Sequence, residues 1–391
     1  MLHLTSFSFF FLVLGILTSV SLLGVSQVLL IIPALYFAYI AFKNGQLKLP
    51  KSTWFLIAFF VMALLSLVFN HSELIRPGKN YGRLKYVAIG ILSIYVFRVY
   101  LSNATDKVKG FIFNTGLIAI IVVGVVSFYQ VFYLGQARAK TLTDTLRYGY
   151  GMGMILPVLL GIILRKGMLP FINRKILLAS LVLGFTSLYL TYTRGAFLGL
   201  ICALPFVIYF WNKKKGLVAF GLGAIFVAFL GGFYLFGSGE IGNRFISSRH
   251  NSSDSVRFTQ WEAAYNAWTE KPILGIGFSD FINQEQEVKA RYGIAHQDYK
   301  GHAHNILLET LAGTGLLGLL AFMGWLVAWS YEMFKASSVV AGAFIPFIVS
   351  LFVSGQFEVV LDANNASLIF MVYALSIALK EHESLTDQPL R

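Results

Sequence analysis

The chain has 391 residues, of which 57% are hydrophobic and 13% charged, and its mean hydropathy is +0.71. Soluble domains carry about 25% charged residues, so this composition excludes an ordinary soluble protein. The net charge of +13 then points to anionic lipid headgroups or phosphate-bearing substrates rather than to nucleic acid. The single cysteine, Cys202, excludes an intrachain disulfide and a cysteine metal cluster.

Apolar runs recur from end to end and predict an all-α polytopic membrane protein. About twelve spans are expected, over 5–23, 25–42, 52–69, 84–101, 111–134, 148–164, 176–192, 196–211, 216–237, 304–330, 339–354 and 366–379. The first run has neither a basic leader nor a small-residue cleavage site, so it reads as a span rather than a signal peptide. The chain thus divides into nine spans (1–237), one long hydrophilic loop (238–303), and three spans with a tail (304–391). With the N-terminus inside, the cytoplasmic segments 43–51, 102–109, 165–175, 212–215, 331–338 and the tail carry fifteen Lys/Arg, against eight in the short loops opposite. That bias predicts both termini on the cytoplasmic side. Eight is still many for a translocated face, and it suits either headgroup anchoring or a function.

Within the long loop, Asp254 is placed to cap a helix over about 255–269 that Lys271-Pro272 stops. Ser279 is placed to cap a second helix through about Arg291, ended by Gly293. The aromatic content of the loop predicts a cap lying on the membrane surface. Glu285-Gln286-Glu287 reads as a solvated face.

The candidate chemistry gathers on the loop side. His304 stands where the polar loop meets a long apolar helix. A histidine titrates near neutral pH and accepts a proton from a hydroxyl nucleophile, and the backbone N–H groups of a helix start favour anions. The plain alternative is an interfacial histidine bonded to loop carbonyls. His302 and His296 are weaker candidates. Arg194, in Thr193-Arg194-Gly195, sits between two apolar runs with almost no loop. An arginine so close to hydrocarbon meets a partner or lines a cavity unless it snorkels to headgroups, and its fork of donors matches phosphate. Arg257 lies near the start of the first loop helix, where by itself it reads as a solvated charge. Arg83 and Lys85, at the entry to the fourth span, suit either a pyrophosphate or helix anchoring. Glu358 and Asp362 are available to pair with the basic groups. Gly313-Thr314-Gly315-Leu316-Leu317-Gly318 matches G-x-G-x-x-G, but no strand precedes it. Small residues inside an apolar helix read instead as close packing. No H-E-x-x-H or D-x-D metal motif occurs.

An arginine after a mid-chain span, one large late loop, and His304-Asn305-Ile306-Leu307-Leu308 followed by Gly313, Gly315 and Gly318 resemble the O-antigen ligase and polymerase superfamily. Arg257 with Trp261 and Pro272-Ile273-Leu274-Gly275-Ile276-Gly277 supply the remaining anchors. The resemblance implies a metal-independent, cofactor-free glycosyltransferase of the Gram-negative inner membrane with a periplasmic active site. Its donor would be O-antigen on undecaprenyl diphosphate, and its acceptor a lipid A–core sugar in the ligases or another lipid-linked repeat unit in the polymerases. Size and the moderate single loop favour a ligase. His304, Arg194 and Arg257 would then be catalytic, with Arg83, Lys85 and Asn305 binding the diphosphate. Twelve spans also suit a transporter, which is expected to show internal repeats and broken midplane helices; no clear repeat is found.

Overall fold

A computed structural model describes residues 1–45, 48–142, 144–165, 169, 171–211, 253–294, 301–361 and 363–386. Among them it has thirteen α-helices: α1 (Leu2–Thr18), α2 (Val20–Lys43), α3 (Lys51–Phe69), α4 (Pro77–Asn103), α5 (Asp106–Phe128), α6 (Thr145–Leu164), α7 (Arg174–Thr191), α8 (Arg194–Trp211), α9 (Ser253–Glu270), α10 (Phe281–Tyr292), α11 (Ile306–Phe334), α12 (Ser338–Ser354) and α13 (Ala363–Thr386). Helices α2 to α8 and α11 are long and apolar enough to cross a bilayer, and α1 and α12 are shorter apolar helices. The protein is a polytopic helical membrane protein. The span expected over 216–237 lies outside the described residues, as do His296 and Asp362.

Local chemistry fixes most boundaries. Ser19, Asp144, Asn173, Asn305 and Ser337 each accept a backbone N–H of the helix they precede, which satisfies groups that would otherwise face hydrocarbon or packed protein. The break between the first two helices falls at Ser19 rather than near Gly24, because the serine cap interrupts an otherwise continuous apolar run. Helix α4 starts at Pro77, seven residues before the expected span, since proline suits a first helical turn and its polar opening turns carry no hydropathy signal.

Helix α11 is the spine of the bundle. It packs against α3, α9 and α12. Toward its C-terminal half, Phe322, Trp325 and Trp329 interlock with Phe347, Phe370 and Tyr373, with ring centroids 5.2–6.0 Å apart. At that end Glu332 accepts from Ser52 N at 3.1 Å and Ser52 Oγ at 2.5 Å, while Tyr373 bonds Thr53 at 2.7 Å. A buried carboxylate of this kind persists because its oxygens are satisfied.

Near its other end α11 is broken. Gly315 has φ 66° and ψ −170°, a combination essentially reserved for glycine. The break is filled by the backbone of residues 272–277. Ile276 N donates to Ala312 O at 2.9 Å, Gly277 N to Gly313 O at 3.1 Å, and Leu316 N to Pro272 O at 2.8 Å. A Cβ on Gly315 would stand 2.2 Å from Ile273 O. The glycine-rich segment therefore does not pack one helix on another; it opens a helix so that the loop segment Pro272–Gly277 can pair with it. In a bilayer such an opening persists only where the freed groups find partners.

Helices α9 and α10 pack on each other and on α11, around Ala263, Ala267, Ile276, Phe281 and Val288. Gly293 ends α10 with φ 64°. Ser279 is not the cap of α10: it has φ 61°, and Asp280 occupies the boundary. The Asp280 carboxylate instead accepts from Asn80 at 2.8 Å and Gln284 at 2.7 Å, which fastens α10 to α4. Glu285 is not solvated either. It is fully buried and pairs with buried Lys289 at 2.5 Å, the i,i+4 spacing placing both on the inward face of α10.

Candidate active site

The break between α7 and α8 consists of Tyr192, in the left-handed conformation at φ 51°, and Thr193. It sets Arg194 as the first residue of α8. The next residue must be glycine, because a Cβ on Gly195 would lie 2.4 Å from the Tyr150 hydroxyl and 2.8 Å from Phe357 Cβ. The Thr-Arg-Gly triplet thus combines a sharp reversal, a cation, and a close approach by α6 and the α12–α13 connection.

Those elements enclose a cavity of about 310 Å³ lined by Arg138, Leu146, Tyr150, Tyr192, Thr193, Arg194, Gly195, Leu198, Arg257 and Phe357. Two expected cations, Arg194 and Arg257, meet there from α8 and α9. A third, Arg138, comes from the α5–α6 connection and carried no motif. Burial lowers the Arg138 pKa from its ordinary value, with Asp144 opposing and Arg194 adding to the shift. An arginine remains charged through any such change, so the site concentrates positive charge. The Tyr150 hydroxyl lies within electrostatic reach of Arg257, Arg138, Arg194 and Glu358.

Glu358 joins His304 to this cavity. Both of its carboxylate oxygens lie 3.0 Å from His304 Nδ1, and its chain neighbour Phe357 forms part of the wall. The imidazole is oriented by a carboxylate, which suits it for proton transfer through Nε2. His304 has φ 46°, a region that non-glycine residues rarely adopt. Thr141, Tyr192 and Ser279 share this property, and Tyr192 lines the cavity. Such strain persists only where surrounding structure holds it.

The start of α11 is not an open anion site. Ile306 N donates to Gly355 O at 2.6 Å, and Leu307 N and Leu308 N donate to Asn305 Oδ1 at 2.9 and 3.1 Å. Asn305 is thereby occupied as a helix cap, with its amide bonded to Gln356 at 3.3 Å. His302 forms a separate pair, Nδ1 to Glu309 at 2.9 Å, and the Ala303 N–H donates to the same carboxylate at 2.9 Å. Arg83 donates to Ser279 Oγ and acts electrostatically on Glu309, so it belongs with that second pair. Lys85 is exposed and lies over the neighbouring Tyr86 ring. Neither Arg83 nor Lys85 lines the three-arginine cavity. Among the described residues, no group of three or more His, Cys, Asp or Glu is arranged to hold a metal ion.

The described residues thus form an α-helical membrane protein with an arginine-lined cavity and, joined to its wall through Glu358, a carboxylate-bonded histidine. Residues 179–323 match the Wzy_C family model, described as O-antigen ligase. The matched region contains Arg194, Arg257 and His304, and it supports assignment to the O-antigen ligase and polymerase family that the motifs resemble. No curated protein matches the chain.

Proposed function

We propose that this protein is an O-antigen ligase, a glycosyltransferase that moves glycan from undecaprenyl diphosphate to a lipid A–core sugar at the periplasmic face of the inner membrane. The observation that carries this reading is the meeting of Arg194 and Arg257 in one cavity whose wall continues into Glu358 and His304. His304 Nε2 takes the proton of the acceptor hydroxyl. The resulting oxygen attacks the anomeric carbon, and the bond from that carbon to the phosphate oxygen breaks with its electron pair going to the diphosphate. Arg194 and Arg257 bind the diphosphate and stabilise the charge that grows on it. With Glu358 bonded to His304, direct attack with inversion is the route the residues favour over a covalent glycosyl-enzyme.

A second cavity, of about 200 Å³ and almost wholly apolar, lies between α1, α4, α5, α6 and α13. Two of its lining residues, Leu17 and Leu368, approach Gly151 of α6, next in sequence to Tyr150 of the cationic cavity. This supports a path for the polyprenyl tail that leads away from the diphosphate between the helices.

The test is a deletion strain examined by lipopolysaccharide electrophoresis. Loss of a ligase leaves core without O-antigen while lipid-linked polymer accumulates. Core bearing a single repeat unit would make the protein a polymerase, and unchanged lipopolysaccharide with intact glycan transfer would remove the reading.

A further inference from the structure

The strained backbone at His304 needs support on both sides. We propose that Glu309 is a positioning residue for the general base: its carboxylate fastens residues 302–303 and so keeps the His304 ring in the place from which it takes the acceptor's proton. This rests on the reading of His304 given above and extends it to a residue outside the cavity wall.

An L-residue in the left-handed region crowds its own Cβ, and His304 stands there at φ 46°. Downstream, the turn is fixed by the start of α11. Asn305 caps the helix, accepting from Leu307 N and Leu308 N at 2.9 and 3.1 Å, and Ile306 N donates to Gly355 O at 2.6 Å. Upstream, both oxygens of one carboxylate hold the chain. Ala303 N donates to Glu309 Oε2 at 2.9 Å, and His302 Nδ1 lies 2.9 Å from Glu309 Oε1.

This is not an ordinary capping box. There the carboxylate stands three residues after the cap and bonds the cap's own N–H. Glu309 stands four residues after Asn305, and its bond goes to Ala303, passing over both Asn305 and His304. The left-handed turn at His304 brings the Ala303 N–H back over the first turn of α11, where Glu309 waits for it. The turn and the carboxylate therefore depend on one another, and the residue at the turn is the proposed base.

Burial sharpens the point. Glu309 is 7% exposed and Ala303 0%. A buried carboxylate is costly unless its oxygens are satisfied, and an apolar side chain would fill the same space without that cost. What the carboxylate adds is direction, because two bonds to two successive residues fix the path of 302–303. From α4, Arg83 acts on the same carboxylate and donates to Ser279 Oγ, which ties this anchor to the segment before α10. Precision here matters for rate: a displacement of ~1 Å at a reacting group costs up to about 10²-fold.

The experiment measures initial rates of transfer from a labelled lipid-linked donor, with the full chain purified in detergent, for E309A, E309Q, H304A, the E309Q/H304A double mutant and E332Q. A melting curve accompanies each. Glu332 is the control, a carboxylate of the same helix with the same 7% exposure, bonded to Ser52 at the opposite end. E309A is expected to lower kcat about ten- to a hundredfold with KM little changed. E309Q keeps an acceptor for the Ala303 N–H and is expected to recover part of that loss. E332Q is expected to lower the melting temperature and keep the wild-type kcat. E309Q should cost little further once His304 is absent, because Glu309 acts through the ring. Wild-type kcat in E309A overturns the proposal; if E309A does not fold, wild-type kcat in E309Q overturns it instead. An equal loss of kcat in E332Q overturns it too, since stability alone would then set the rate, and so does an undiminished further loss in the H304A background. A wild-type rate in H304A removes the general-base reading itself, whereas an inactive H304A beside a fully active E309A removes the positioning role alone.

Discussion

Replacing Glu358 by glutamine is the sharpest probe of the proposed chemistry. The carboxylate offers two oxygens to His304 Nδ1, each at 3.0 Å, and both side chains are only 14% exposed. Water therefore screens the pair incompletely. Glutamine keeps the shape and one acceptor oxygen but removes the charge that stabilises the imidazolium formed when His304 takes a proton. A charge-assisted hydrogen bond contributes about 1.5–3 kcal/mol, and each ~1.4 kcal/mol is a tenfold change in rate. Transfer should accordingly slow by about ten- to a hundredfold. The loss should fall on kcat, with KM little changed, because the charge on the ring develops only as the reaction proceeds. The assay is the initial rate of transfer from a labelled lipid-linked donor at several donor concentrations, in E358Q, H304A and the double mutant. If Glu358 acts through the histidine, the substitution should cost little once His304 is absent. An undiminished further loss in the H304A background would refute that link.

Three other outcomes follow from the same geometry. His304→Ala should leave folded protein with transfer reduced by about 10²–10⁴-fold, the range for loss of a general base; wild-type turnover would remove its role. Arg194→Lys keeps charge but loses the planar fork, so transfer should be clearly impaired, and full activity would mean that charge alone suffices at the α7–α8 break. Gly315→Ala forces a side chain onto a backbone at φ 66°, with its Cβ 2.2 Å from Ile273 O. A cost of about 1–3 kcal/mol or more is expected, read as a lowered melting temperature in detergent, and a native melting curve would show that the pairing of α11 with residues 272–277 is dispensable.

Much of the architecture is readable from hydropathy because a bilayer permits few solutions. Each span must satisfy its own backbone, so long apolar runs become helices. What hydropathy misses are features set by single polar or small side chains. Ser19 ends α1 by capping α2, and Pro77 begins α4 well outside the apolar run. The buried Glu285–Lys289 pair looks solvated in sequence because each residue is polar, and only the packing of α10 turns that face inward.

The candidate site is legible unevenly for similar reasons. Arg194 stands out because so little loop surrounds it, and Arg257 and His304 because they fall in a recognisable order. The three are separated by more than a hundred residues, yet Arg194 and Arg257 line one cavity and Glu358 ties His304 to its wall. Arg138 is one of eight Lys/Arg in the short loops expected opposite the termini, and nothing local marks it; its position follows from two hydrogen bonds to the end of α7. Asn305 has a structural role that its place beside His304 does not announce: its side chain closes the first turn of α11.

The central claim is that the arginine cavity and the histidine beside it make a new glycosidic bond. Purified protein reconstituted with labelled glycan on a polyprenyl diphosphate and with lipid A–core tests it most directly. The account predicts label in the core lipid, free polyprenyl diphosphate in equal amount, and loss of both products in H304A. Label that crosses the membrane still attached to its original lipid, with no core product, would contradict it.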